Sequence, residues 1–234
     1  MKGELYAFEG INGCGKTAVL HEVAAKLRER HGEGMVVTLC NPTKGPIGQE
    51  IRQFVHEQRV KGFPRFFSQN EATYAFATRL AVLFAADRLG QQPEIEAHLN
   101  EGRTVLCDRY ALSTLIYQCA MIGDVGLDTN FMRMVHAMHA GLIKPTDTLV
   151  FDVPVDVARA RLAVRGEQND DRMMASIEAA ARSMYLDVKS TDPHGERNTI
   201  IADLTGSVEH IDANRPLEAV VADALNEIDW HDRF

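Results

Sequence analysis

The sequence predicts an α/β protein of three layers, α/β/α, around a central, mostly parallel five-stranded sheet. Short apolar runs alternate with segments of helical periodicity along the whole chain, as expected when helical crossovers cover both faces of a parallel sheet. A glycine-rich stretch, Gly10-Ile-Asn-Gly-Cys-Gly-Lys-Thr17, joins the first apolar run to the first helical one. Gly10, Pro42, Asp108 and Asp152 fall at or just after predicted strand ends, where such sheets gather their ligands.

Leu5-Tyr6-Ala7-Phe8 reads as the first strand, and Val19, Leu20, Val23, Ala24 and Leu27 recur at helical spacing until His31-Gly32 closes the helix. Met35 to Leu39 predicts a second strand, followed by the loop Asn41 to Pro46 and a helix bearing Ile47, Ile51, Phe54 and Val55. Lys61 to Ser68 reads as loop. Ala72 to Leu89 predicts a long helix with Phe76, Leu80, Leu83 and Phe84 on one face, and Glu94 to Leu99 a separate, shorter helix. Thr104 to Cys107 is a buried strand ending at Asp108-Arg109-Tyr110. Helices follow over Ser113–Met121 and Thr129–Leu142, then a strand over Thr148–Asp152. Pro154 suits the first turn of a helix to Ala163, and another helix runs from Ala175 to Lys189. Past the polar insertion 190–206, Ser207–Ile211 and Pro216–Ile228 complete the pattern. The length, 234 residues, suits one domain over 1–234.

With 25 basic against 33 acidic residues the formal charge is −8, which disfavours a polyanion such as DNA; no nucleic-acid partner is expected. Cys14, Cys40, Cys107 and Cys119 lack metal-ligand or Cys-x-x-Cys spacing and read as reduced thiols in a cytoplasmic protein. No signal peptide is expected, and the longest apolar stretch, interrupted by Arg79, is too short for a membrane span.

Gly10 to Thr17 is the stretch with the most chemistry. Its glycines allow positive φ, so that successive N–H groups face phosphate oxygens, and the following helix directs its positive end to the same place. Gly10, Asn12, Gly13, Cys14 and Gly15 form this P-loop; Lys16 would reach the β- and γ-phosphates of ATP, and Thr17 would hold Mg²⁺. A glycine-rich turn that binds nothing is the plain alternative.

Several motifs together resemble the thymidylate kinase family. They are Phe8-Glu9-Gly10 leading into the P-loop, Leu83-Phe-Ala-Ala-Asp-Arg88, Asp108-Arg-Tyr110 followed by Ser113, Thr114, Tyr117 and Gln118, Val150-Phe-Asp-Val-Pro154, Arg165-Gly-Glu167, and His210-Ile-Asp212. The resemblance implies a P-loop kinase fold with a short lid at about residues 165–176. It implies transfer of the ATP γ-phosphoryl to the 5′-phosphate of a pyrimidine deoxynucleotide, foremost dTMP. Phe84 would stack on the pyrimidine and Arg88 bond its edge; taken alone, Phe84 reads as core packing. Thr114 would touch the base, Tyr117 crowd the sugar 2′ carbon, and Glu9, Pro42 and Ser113 line the acceptor site. Asp108 would hold Mg²⁺ through water, and Arg109 would clamp the acceptor phosphate as a catalytic cation beside Lys16. Because Asn12-Gly13-Cys14 carries no arginine, Arg165 or Arg172 of the lid would supply transition-state charge, with Arg161 and Arg182 as helpers. The resemblance also implies a homodimer.

Two departures bear on the acceptor. Asn12 stands where most relatives have an acid, and Asn41-Pro42-Thr43-Lys44 replaces an Arg-Glu-Pro type of loop, leaving Lys44 as the candidate phosphate cation. A kinase for dUMP or a 5-substituted dUMP shares the motifs. From another class, so does a P-loop ATPase switch; the Asn-Lys-x-Asp element of guanine switches is absent.

Overall fold

A computed structural model describes residues 2–61, 71–123, 129–166, 172–189 and 196–231. Its strands are β1 (Leu5–Glu9), β2 (Val36–Cys40), β3 (Thr104–Asp108), β4 (Asp147–Asp152) and β5 (Ser207–Asp212). They form one sheet in the order β2-β3-β1-β4-β5. Every pairing is parallel, so "mostly parallel" becomes wholly parallel among the described residues. Central β1 is buried at all five positions, whereas edge strands β2 and β5 are largely half-buried. That gradient explains why β1, β3 and β4 read as continuous apolar runs.

The helices are α1 (Lys16–His31), α2 (Pro46–Lys61), α3 (Glu71–Asn100), α4 (Ala111–Met121), α5 (Thr129–Met138), α6 (Val155–Val164), α7 (Arg172–Leu186), α8 (Glu196–Thr205) and α9 (Leu217–His231). Their contacts fall into two groups: α1 with α9, and α2 to α8 among themselves. These are the two outer layers. Parallel strands put β1, β2, β3 and β4 carboxyl ends on one rim, where the P-loop, the 41–45 loop and Asp108-Arg109 meet.

Three helical expectations are corrected. The two helices expected over 72–89 and 94–99 are one, α3, running through Pro93. The exposed proline removes the N–H that would bond the Leu89 carbonyl, yet Gln91 just before it and Ile95 and Leu99 beyond it stay buried. Packing on both sides thus outweighs a proline cost of about 3 kcal/mol. The helix expected to reach Leu142 stops at Met138, because His139 turns into the core and Gly141 takes φ 89°. Within the polar insertion, α8 forms by burying Ile200, Ile201 and Leu204 and packing against α4 and α5. The 61–68 loop, apart from Lys61, and residues 167–171 of the expected lid lie outside the described residues; Arg165 and Gly166 form a turn and 172–176 begin α7.

Gly206 ends α8 with φ 68°, and a Cβ there would overlap the Pro145 and Thr146 carbonyl oxygens. Gly206→Ala is therefore expected to destabilise the fold by about 2 kcal/mol or more, read as a lower urea midpoint at unchanged m-value.

Candidate active site

Gly10, Gly13 and Gly15 take φ of 136°, 80° and 101° between β1 and α1. At Gly13 a Cβ would also strike the Ala158 carbonyl, so both backbone angle and space demand glycine. Gly15 caps α1 without any side-chain hydrogen bond, leaving the first amides of the helix free for an anion. Lys16 is 6% exposed and its ammonium makes one long contact, 3.4 Å to the Ile11 carbonyl. Burial pushes its pKa below the usual lysine value, and Arg109 adds to that against the opposing pull of Cys14, Asp108 and Glu9. An arriving phosphate would relieve this strain on the charge. The Thr17 hydroxyl donates to Asp108 Oδ2 at 2.5 Å.

Arg109 opens the next layer. It holds φ 69° just past β3, and its guanidinium donates to the Gly10 carbonyl (3.1 Å), Ser113 Oγ (2.9 Å) and Asn12 Oδ1 (2.7 Å). The Tyr117 ring lies 5.2 Å from it. Burial opposes the Arg109 charge, but Tyr117, Tyr185, Glu9 and Asp108 more than offset it, and the pKa is raised. The Asn12 amide donates to Glu178 Oε1 at 2.5 Å, and Tyr117 donates to Glu178 Oε2 at 2.9 Å.

A cavity of about 610 Å³ runs from Lys16 and Thr17 past Asp108 and Arg109 to Arg165 and Glu178. A second, of about 400 Å³, shares Asn12, Pro42, Arg52 and Arg109 with it and continues to Phe84, Arg88, Ser113, Thr114, Tyr117 and Gln118. Arg88 is 1% exposed, donates to Thr114 Oγ1 (2.6 Å) and has its carbon centre 5.4 Å from the Phe84 ring centroid. Its Nε and the Gln118 Oε1 are buried without a partner. Such orphans are costly unless a ligand completes them.

These features converge on one family, and its model, described as thymidylate kinase, matches residues 8–223. The chain belongs to the thymidylate kinase family. A thymidylate kinase of Cupriavidus pinatubonensis is 33% identical over 214 residues, covering 90% of this chain and 95% of that one. One from Geobacter sulfurreducens is 33% identical over 200 residues, covering 82% and 86%. The crystal structure of thymidylate kinase from Ehrlichia chaffeensis shares the fold with a TM-score of 0.66 at 19% identity, covering 97% of this chain and all of that one.

Within this thymidylate kinase fold the motif residues do not all meet. Lys16, Thr17, Asp108 and Arg109 share the phosphate cavity, and Phe84, Arg88, Ser113, Thr114 and Tyr117 the adjoining one. Lys44 lies to one side: it lines a third cavity, which shares Thr17, Cys40 and Asp108 with the phosphate cavity, while Asp87 holds the Thr43 N–H (2.7 Å) and hydroxyl (2.5 Å) beside it. Arg52 of α2 occupies the place instead, lining both cleft cavities and bonding the Thr43 and Pro42 carbonyls. Glu9 is fully buried and accepts from the Tyr110 and Ser113 N–H groups, the Ser113 hydroxyl and Tyr185, so it organises the site from beneath.

Of the arginines, Arg165 lines the phosphate cavity, while the Arg172 side chain lies outside the described residues. Arg182 is committed to Asp152 through bonds of 2.7 and 2.8 Å, and Arg161 to the Cys14 and Ala213 carbonyls. Cys14 is buried, as a filler residue would be. Sequence reading missed Arg52, His139 and Glu178, and passed over Gln118 although it stood in the motif. Arg52 lies six residues past Pro46 on a helix and could have been found as the cation facing that loop.

His139 supports Arg88 from behind. Its Nδ1 lies 2.7 Å from the Val135 carbonyl, which requires the proton there, so Nε2 accepts from Arg88 at 3.1 Å. Burial, then Arg88, lower its pKa to about 4. A histidine whose folded pKa is depressed loses stability as pH falls, beginning near the unfolded value of 6.5 and levelling below 4. The loss should reach about 3 kcal/mol in order of magnitude. His139→Gln should flatten the stability profile between pH 6.5 and 4 relative to wild type, measured by urea unfolding at each pH.

Proposed function

We propose that the protein transfers the γ-phosphoryl of ATP to the 5′-phosphate of dTMP, forming ADP and dTDP. The observation that carries this reading is the two-part cleft, cationic at the end formed by Lys16 and Arg109 and base-shaped at the other. Arg88 and Gln118 line the same cavity, and each has a buried polar atom without a partner, Nε and Oε1. A carbonyl beside a ring N–H, as in thymine and uracil, offers an acceptor to the Arg88 guanidinium and a donor to the Gln118 side chain; with the ring in the same orientation, cytosine would set its amino group against Arg88 and its ring-nitrogen lone pair against Gln118. Ile51, Val55, Leu80 and Met121 add apolar lining suited to a 5-methyl group.

Catalysis would be positioning and charge neutralisation, since the acceptor oxygen is already anionic. Arg109 and Arg52 would hold the acceptor phosphate, Lys16 and the P-loop amides the donor, and Arg165, on the wall of the phosphate cavity, would add charge beside the migrating group. The Thr17 hydroxyl and Asp108 carboxylate, two oxygen donors side by side, fit a Mg²⁺ that keeps its remaining ligands as water and phosphate oxygens. That ion would screen charge between the β- and γ-phosphates. Exposed Val82 and Leu89, two turns apart on α3, support a homodimer as part of this reading.

In a coupled assay with ATP and Mg²⁺, dTMP should be the best acceptor, dUMP weaker by the worth of one methyl, about 1–3 kcal/mol, and dCMP and purine monophosphates poor. ADP release independent of any acceptor would instead indicate an ATPase, and dUMP outpacing dTMP would reassign the substrate. Lys16→Ala should fold normally and lose about 100-fold or more in kcat; near-normal turnover would exclude the P-loop as the catalytic centre.

A further inference from the structure

Glu178 is a carboxylate only 7% exposed, reaching from α7 to the P-loop, and no motif accounts for it. Both of its oxygens face donors. Oε1 accepts from Asn12 Nδ2 at 2.5 Å; Oε2 accepts from the Tyr117 hydroxyl at 2.9 Å and the Asn12 N–H at 3.3 Å. Tyr117 in turn accepts from the Asn12 N–H at 3.0 Å. An asparagine amide is free to flip unless its neighbours choose an orientation. Here the carboxylate at its nitrogen and the Arg109 guanidinium at its oxygen, 2.7 Å away, choose it from both ends.

Neither nearby carboxylate can replace Glu178. Glu9 is saturated by Tyr110, Ser113 and Tyr185, and Asp108 accepts from Thr17. We infer that Glu178 is a positioning residue for phosphoryl transfer: through Asn12 it aims Arg109, and directly it fixes the Tyr117 ring beside the acceptor. This inference rests on the acceptor reading above for its catalytic meaning, and on the hydrogen-bond network alone for its geometry. It assigns to α7, the helix that follows the lid, the charge that orients a cation presented by β3.

The chemistry predicts a reciprocal exchange. Glu178→Gln sets an NH₂ group against one of the donors, so the Asn12 amide or Tyr117 loses its partner and Arg109 its direction. Asn12→Asp sets two carboxylates at hydrogen-bond distance. In the double variant Asn12→Asp/Glu178→Gln, carboxylate and amide trade places: the new carboxylate accepts from Arg109 and from the new amide, whose oxygen accepts from Tyr117 and the residue 12 N–H.

Each single variant is expected to lose about 10- to 100-fold in kcat/KM for dTMP, the scale of a misplaced catalytic group. The KM for ATP should stay near wild type in Glu178→Gln, and the double variant should recover kcat/KM to within about threefold, a non-additivity that marks direct coupling. A purely structural role would lower the melting temperature in all three without that rescue. Arginine-selective labelling with phenylglyoxal, mapped to the Arg109 peptide, gives a readout independent of the reaction. Arg109 should label faster in each single variant and return to the wild-type rate in the double. If wild type fails to phosphorylate dTMP while the labelling pattern holds, the acceptor reading fails and the positioning network stands. Unchanged kcat/KM and labelling in Glu178→Gln, or a double variant as impaired as the product of the singles, would overturn the inference.

Discussion

A carboxylate with no exposed surface, Glu9, holds the site together. It sits at the end of the central strand and receives the first amides of α4, the Ser113 hydroxyl and the α7 residue Tyr185. Burying an ion is tolerable only when its lone pairs are filled, and here the partners come from two different helices. Those helices carry the functional surface: α4 brings Ser113, Thr114, Tyr117 and Gln118, and α7 brings Glu178. The P-loop begins at the next residue, so one buried charge sets the register between phosphate loop, base pocket and lid helix.

The same economy of charge shapes the cleft. The chain is acidic overall, yet Lys16 and Arg88 are buried at its centre and Arg109 is half-buried beside them. Arg88 is the extreme case: burial lowers its pKa to about 10, and its direct hydrogen-bond partners, Thr114, His139 and the Phe84 carbonyl, are neutral. Neutral partners leave the guanidinium charged and poorly compensated, a state that a base carbonyl improves. Arg109 is the contrasting case, surrounded by oxygens that hold its charge on and suit it to a phosphate. Two arginines in one cleft thus meet two different ligand chemistries.

Family membership and the parallel α/β fold were legible because they rest on local signals. The P-loop glycines need positive φ, the strands buried on both faces read as unbroken apolar runs, and Phe84 and Arg88 share a helix face at i and i+4. Each depends on residues within a few positions of one another. The wrong boundaries share a cause too. The break expected before Pro93 and the featureless reading of 190–206 were local propensities overruled by packing, of Ile95 and Leu99 in one case and of Ile200, Ile201 and Leu204 in the other.

What the sequence by itself determined, then, was the strand-loop-helix at Gly10–Thr17, the alternation that builds the sheet, and the motifs that name the family. Tertiary structure alone decided which charges meet. Asp87 holds Thr43, forty-four positions away, and sets Lys44 to one side of the phosphate cavity, while Arg52 lines both parts of the cleft. Glu178 reaches Asn12 across 166 positions, and His139 reaches Arg88 across 51. Such pairings carry no periodicity and no spacing, because a hydrogen bond between distant segments is chosen by how helices pack on the sheet.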